Sequence, residues 1–174
     1  MLTLVVLAVL CLPVSYFTIL IHELGHYIAC RLQKITPIQV NIGSGPTWYK
    51  FQRKGTWFHF NRWPSIGSVT IAPGHIKKIG LSGTILVLIA GPCCHFVASF
   101  SLIALSTVSI LPESLQMALW WLGFIEALTA FGQLIPWRRY IKNGDTRMEM
   151  RSDGFQIRNM WRRRHQFKIV NENW

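Results

Sequence analysis

The sequence predicts a mainly α-helical, polytopic membrane protein. About three transmembrane helices are expected, with a small interfacial antiparallel β-sheet between the first and second. Three observations carry this reading. The apolar residues come in long blocks, at about residues 2–30, 79–111 and 116–136, and a hydrocarbon core needs roughly 20 such residues. Charged residues make up only 14% of the chain, against roughly 25% in soluble proteins. Between the first two blocks, residues 36–72 change to an alternating pattern. The 174 residues fit one membrane-embedded domain, 1–174.

In the first block the apolar run is almost uninterrupted from Leu2 to Cys30. A cleaved signal peptide is disfavoured, because no Lys or Arg precedes the run and no small-residue cleavage site is visible. Pro13 is expected to kink this helix. In the β-region, Ile38–Ile42, Thr47–Gln52 and Thr56–Asn61 alternate, and Arg53-Lys54-Gly55 reads as a hairpin turn. Gly43, Gly45 and Pro46 should interrupt the strands before that turn, and Pro64 and Gly67 after it. Trp48, Trp57 and Trp63 are candidate interfacial anchors. His59 reads as a strand residue and His75 as an interfacial one.

In the second block, Gly91-Pro92 sits mid-span, where proline removes a helical hydrogen bond. His95 follows. An intramembrane histidine is either functional or hydrogen-bonded to a neighbouring helix, and the sequence leaves both open. Pro112–Leu115 should form a short loop. The third block carries Glu126 near its middle and ends at Gln133-Leu134-Ile135-Pro136. A polar loop, Trp137–Ser152, is expected next, then a short helix beginning near Asp153-Gly154-Phe155. The tail is basic, and Arg162-Arg163-Arg164 suits a helix lying on the membrane surface. The cysteines, Cys11, Cys30, Cys93 and Cys94, lie in apolar stretches without Cys-x-x-Cys spacing and read as buried thiols.

Charge gives the topology. All 18 Lys and Arg fall in residues 31–80 and 136–174. The positive-inside rule then places both basic stretches in the cytosol and the N-terminus outside, with the chain in the plasma (inner) membrane. The net charge of +11 is mostly a topology signal. No nucleic-acid-binding motif accompanies it, so the lipid bilayer is the expected partner.

His22-Glu23-Leu24-Gly25-His26, at the end of the first block, reads H-E-x-x-H. On a helix, positions four apart share a face, so His22 and His26 can present two imidazoles to one metal. Glu23 stands beside them, where a carboxylate can act as the catalytic base. Zinc is the expected metal, since neutral imidazole is a favoured ligand. Two histidines and a glutamate in an apolar segment cost several kcal/mol unless something uses them, which disfavours a chance match. Counting back from Arg31, the two histidines lie roughly 8 to 14 Å inside the cytosolic boundary.

A third protein ligand is needed. A third histidine at position 32 is excluded, because Leu32 stands there, and no acidic residue occurs between Glu23 and Glu113. Glu113 is on the outer face and Glu172 at the chain end. Glu126, Asp145, Glu149 and Asp153 remain, with His95 as a non-acidic possibility.

These residues together resemble the site-2 protease family of intramembrane zinc metalloproteases. His22–His26 matches its H-E-x-G-H. Ala90-Gly91-Pro92-Cys93-Cys94-His95 is similar to its A-G-P-x-x-N, with His95 in place of Asn. Gln133-Leu134-Ile135-Pro136 is similar to N-L-x-P, with Gln133 in place of Asn. Ser152-Asp153-Gly154 resembles the Asp-Gly motif that supplies the third zinc ligand. The four occur in the family's order and cover most of residues 20–157. The resemblance implies Zn2+ held by His22, His26 and Asp153, with Glu23 catalytic. It also implies hydrolysis of a peptide bond in or beside a transmembrane segment of a substrate protein. An edge strand from residues 36–62 could hold that substrate extended. Two other classes remain: a non-proteolytic membrane zinc-binding protein, and a membrane protease that trims short peptides. Oligomeric state is not legible.

Overall fold

A computed structural model describes residues 2–143, 146–162 and 164, the side chains of residues 2–11, 141–143 and 146–148 excepted. The elements are α1 (Leu2–Leu32), β1 (Gln39–Arg53), β2 (Thr56–Thr70), α2 (Pro73–Ser106), α3 (Glu113–Leu134), β3 (Arg138–Asn143), β4 (Thr146–Arg151) and α4 (Asp153–Arg162). They fall into two compact units, Met1–Lys78 and Ile79–Trp174.

In the first unit, α1 runs through Pro13 as one helix, where a kink was expected. It stops through a left-handed cap. Lys34 adopts φ 58°, the Lys34 N–H bonds the Arg31 carbonyl (3.0 Å) and the Ile35 N–H bonds the Cys30 carbonyl (2.9 Å). This is the Schellman arrangement, and it buries Ile35 behind the last turn. Arg31 also donates to Thr36 Oγ1 at 2.7 Å.

β1 and β2 form a hairpin closed at Lys54-Gly55, both with positive φ, as a two-residue turn between right-twisted strands requires. The strands are longer than the alternation suggested. Gly43 and Gly45 bend β1 instead of ending it, using φ near 85° and 83°. Pro64 and Gly67 likewise lie inside β2. The bend lets Gln39–Ile42 pair twice: with Thr70–Gly67 in antiparallel register, and with Trp57–Phe60 in ascending register. The order across this curled ribbon is therefore 67–70, 39–42, 57–60, 49–53. Val40, Ile42 and Phe58 are buried at its centre, and Tyr16, Ile19, Leu20 and Tyr27 of α1 pack against them. Tyr16 donates its hydroxyl hydrogen bond to the Asn61 carbonyl. Trp48, Trp57 and Trp63 are exposed.

In the second unit, α2 and α3 are long and apolar enough to cross a membrane, with mean hydropathy 2.0 and 1.2 over their best windows. α2 continues through Pro92. Its break is at Gly80 (φ 66°, ψ −165°), a conformation open to glycine alone. Thr84 takes up the Gly80 carbonyl at this break, donating its hydroxyl hydrogen bond four residues back (2.7 Å). Deep in the pair of helices, His95 Nδ1 meets Glu126 Oε2 at 2.5 Å, and both residues are essentially inaccessible. This is the helix-to-helix hydrogen bond that was one of the two readings of His95. Phe96 packs edge-on against Phe131 nearby. Cys30 is buried, but Cys93 is exposed and Cys94 partly so, which corrects the expectation of buried thiols for the latter two. Cys11 lies outside the described side chains.

The segment expected to be a polar loop is instead a second hairpin, with Arg138 paired to Arg151 and Asn143 to Thr146. Its sequence signal was Gly144-Asp145, the two residues between that last pair. α4 follows as the short helix expected at Asp153.

The His95–Glu126 pair should be energetically coupled. In thermal unfolding in detergent, Glu126→Leu and His95→Leu each destabilise, because each strands a buried polar partner. The double variant recovers part of the loss, with a coupling of about 1–2 kcal/mol. Strictly additive losses would show that the two side chains do not depend on each other.

Candidate metal centre

The last three turns of α1 carry the H-E-x-x-H residues. Helical spacing sets His22 and His26 one above the other, their rings edge to face with centroids 4.6 Å apart. Their Nε2 atoms are 3.0 Å apart. Two nitrogens bound to one tetrahedral zinc at about 2.0–2.1 Å stand about 3.3 Å apart. The pair therefore matches a shared ion with almost no adjustment. Neutral imidazoles are also the donor type zinc favours.

Glu23 is 4% exposed. Its wall is Gly67 of β2: a Cβ built at Gly67 would overlap the Glu23 carboxyl group. Absence of a side chain at 67 therefore lets the strand backbone run directly against the carboxylate. Residues 67–70 have 39–42 on one side as their only ladder partners among the described residues. The strand beside Glu23 is thus an edge.

The second unit brings two of the other three motifs together, Gln133–Pro136 and Ser152–Gly154. Ser152 organises them. Its hydroxyl donates to the Ile135 carbonyl (2.8 Å) and accepts from the Trp137 N–H (3.0 Å), while its own N–H bonds the Trp137 carbonyl (3.1 Å). The same oxygen accepts from the Phe155 N–H (3.1 Å), which is the N-cap bond of α4. Gly154 lies so close to the end of α3 that a Cβ there would overlap the Leu134 carbonyl. The Gln133–Pro136 turn and the Asp153-Gly154 pair are thus tied together by backbone and hydroxyl contacts.

Asp153 opens α4 and is 5% exposed. The N-cap bond of this helix is made by Ser152, not by Asp153. Carboxylates are favoured in a first helical turn. Of the other acidic candidates, Glu126 is engaged by His95 inside the helix pair. Glu149 faces Arg151 and lies 3.8 Å from Arg138. The Arg151 guanidinium hydrogen-bonded to it holds its carboxyl below the usual carboxylate range. Asp145 lies outside the described residues. His59 pairs across the ribbon with Lys50 and Asn41, and His75 sits in the first turn of α2.

Gly67 and Ser152 were not singled out from the sequence as site residues. A glycine inside a strand signals close backbone approach, but nothing local says to what. Ser152 was visible only as the residue before Asp-Gly.

A family model described as Peptidase family M50 matches residues 9–165. A protein of Thermotoga maritima named "Putative zinc metalloprotease" is 35% identical over 65 residues, covering 37% of this chain and 12% of the relative. The chain thus matches a small part of that longer protein.

The contact between Gly67 and Glu23 can be tested by size exchange. Gly67→Ala should lower the unfolding midpoint by the equivalent of about 1–3 kcal/mol, because the added methyl has no room. Gly67→Ala combined with Glu23→Ala should recover most of that. Equal destabilisation by Gly67→Ala with and without the Glu23 side chain would place the two apart.

Proposed function

The chain belongs to peptidase family M50, a membrane-associated family of metallopeptidases, and from that premise we propose that it is an intramembrane zinc endopeptidase. The observation that carries the reading is the end of α1: two imidazole nitrogens at ligand spacing, with a buried glutamate beside them and an edge strand against it.

In this reading His22, His26 and Asp153 hold the zinc. When bound, the ion supplies Lewis-acid polarisation of the scissile carbonyl and acidifies water. Glu23 takes the proton from the attacking water and returns it to the leaving amine. Burial of Glu23 against Gly67 fixes the carboxylate and keeps bulk solvent from competing for that proton. His22 and His26 donate as neutral bases, so acidification that protonates them removes the binding site. Ser152 acts as a positioning residue: it caps α4 and ties it to Ile135 and Trp137, so Asp153 is presented from a fixed helix start.

The substrate is a membrane-spanning segment of another protein. Its helix hides the peptide bonds, so it must be held extended for cleavage. β-Augmentation on an edge strand does this. The edge beside Glu23 is 67–70, downstream of the 36–62 stretch where the sequence pattern alone pointed. A strand added there would pass its backbone along Glu23.

The three helices α1, α2 and α3 are read as spans, with the N-terminus outside and both basic stretches in the cytosol. Tags at the two ends, probed in intact and opened cells, should be accessible from opposite sides. Both ends on one side would overturn this topology and the depth given to the histidines.

Zinc content and cleavage of a transmembrane substrate, measured on purified variants, test the chemistry. Glu23→Gln is nearly isosteric and should keep zinc while cleavage falls at least about 10³-fold. Asp153→Ala should lose both zinc and cleavage, while Asp145→Ala and Glu149→Ala keep both. Wild-type cleavage by Glu23→Gln ends the enzyme reading. Full zinc in Asp153→Ala, with loss in one of the other two, moves the third ligand.

A further inference from the structure

An open cleft of about 510 Å³ lies in the second unit, beside the Ser152 clamp, with Pro136 and Gly154 at that end, and within the roughly 300–1,000 Å³ of ligand sites. Ile89 of α2, Leu134 at the end of α3, and Ile157 and Trp161 of α4 give it apolar walls. Arg158 and Arg162 of α4 stand at it as well, both exposed. They are four residues apart and therefore neighbours on one helix face. Among the described residues, neither guanidinium meets a carboxylate. Accessible apolar walls, with Leu134 and Trp161 exposed, and two such arginines at one cleft ask for a ligand that is apolar at one end and anionic at the other.

We infer that this cleft binds one anionic phospholipid, its phosphate on Arg158 and Arg162 and its acyl chain along Ile89, Leu134, Ile157 and Trp161. Three features select this occupant. The cleft begins where α3, an apolar helix of membrane-crossing length, gives way to the basic Arg138–Arg151 hairpin, which is the depth of lipid headgroups. Basic pockets at helix ends on the cytosolic side are a recurrent headgroup site. Arginine forks match phosphate oxygens in pairs, which a single surface lysine does not. A zwitterionic lipid would bring its own cation to the two guanidiniums and be disfavoured.

Because α4 begins at Asp153, an occupant held against its later turns would steady the helix that presents that carboxylate. This consequence rests on the proposed catalytic function, whereas the binding rests only on the membrane topology proposed with it.

Native mass spectrometry of the full chain, released from mild detergent with defined lipids, tests the site. With equimolar phosphatidylglycerol and phosphatidylcholine, one phosphatidylglycerol should be retained per chain, with at least tenfold preference. Arg158→Gln with Arg162→Gln should abolish the preference. Ile89→Trp, which fills the apolar end without changing charge, should weaken retention as well, so the proposal stays testable if the double variant folds poorly. Arg53→Gln with Lys54→Gln, in the other basic stretch, should leave retention unchanged. The inference is overturned if both lipids are retained equally, if the Arg53/Lys54 variant loses as much as the Arg158/Arg162 variant, or if millimolar inorganic phosphate displaces the lipid completely. It is also overturned if binding appears only after residues 165–174 are removed, since the chain's own tail would then be the occupant.

Discussion

The arrangement around α1 depends on one contact, the backbone of β2 at Gly67 against the carboxyl group of Glu23. A buried carboxylate in an apolar helix is costly unless its surroundings are built for it. Here the surroundings are a strand with no side chain at the point of closest approach. Everything else in the first unit serves to bring that strand there. The Schellman cap ends α1 abruptly, the Lys54-Gly55 turn reverses the chain, and the bend at Gly43 and Gly45 lets β2 reach back past Gln39–Ile42. The aromatic packing of Tyr27, Phe58 and Phe51 fixes the ribbon on the helix.

The second unit solves a related problem by different means. Ser152 takes the N-cap bond of α4 and also clamps the turn after α3, so the start of the helix that carries Asp153 is fixed by its neighbour. Gly154 removes the last obstacle, since any side chain there would collide with the Leu134 carbonyl. Mutually supporting local choices of this kind are what make a segment specify one conformation.

Much of this was legible in the sequence. The i, i+4 pairing of His22 and His26, the hairpin turn at Lys54-Gly55 and the close approach at Gly154 follow from periodicity and residue type alone. What was not legible is long-range. Gly43 and Gly45 were read as strand ends, because sequence cannot tell a glycine that terminates a strand from one that bends it. Pro92 was read as the site of a lost helical hydrogen bond, yet Gly80 holds the non-helical backbone, since proline inside a long helix loses one bond while φ 66° with ψ −165° is open to glycine alone. The partner of His95 was undecidable until α2 and α3 were packed. The β3–β4 hairpin was not legible because Arg138–Asn143 shows no apolar alternation to mark a strand before the turn.

The charge distribution ties these local devices to the surroundings of the chain. Arg138 and Arg151 are drawn to Glu149 and so neutralise the one acidic residue described in the second hairpin. Arg158 also lies over the Phe155 ring (5.2 Å), a contact that orients the guanidinium while leaving its N–H groups to donate to an anion. The basic stretch after α3 is therefore not uniform. Part of it closes on itself through Glu149, and part is presented on α4 beside exposed apolar side chains. Positive charge that served topology alone would need no such division. Pairing it with an apolar cleft is the arrangement expected where a helix must be seated against both the hydrocarbon and the headgroup layer.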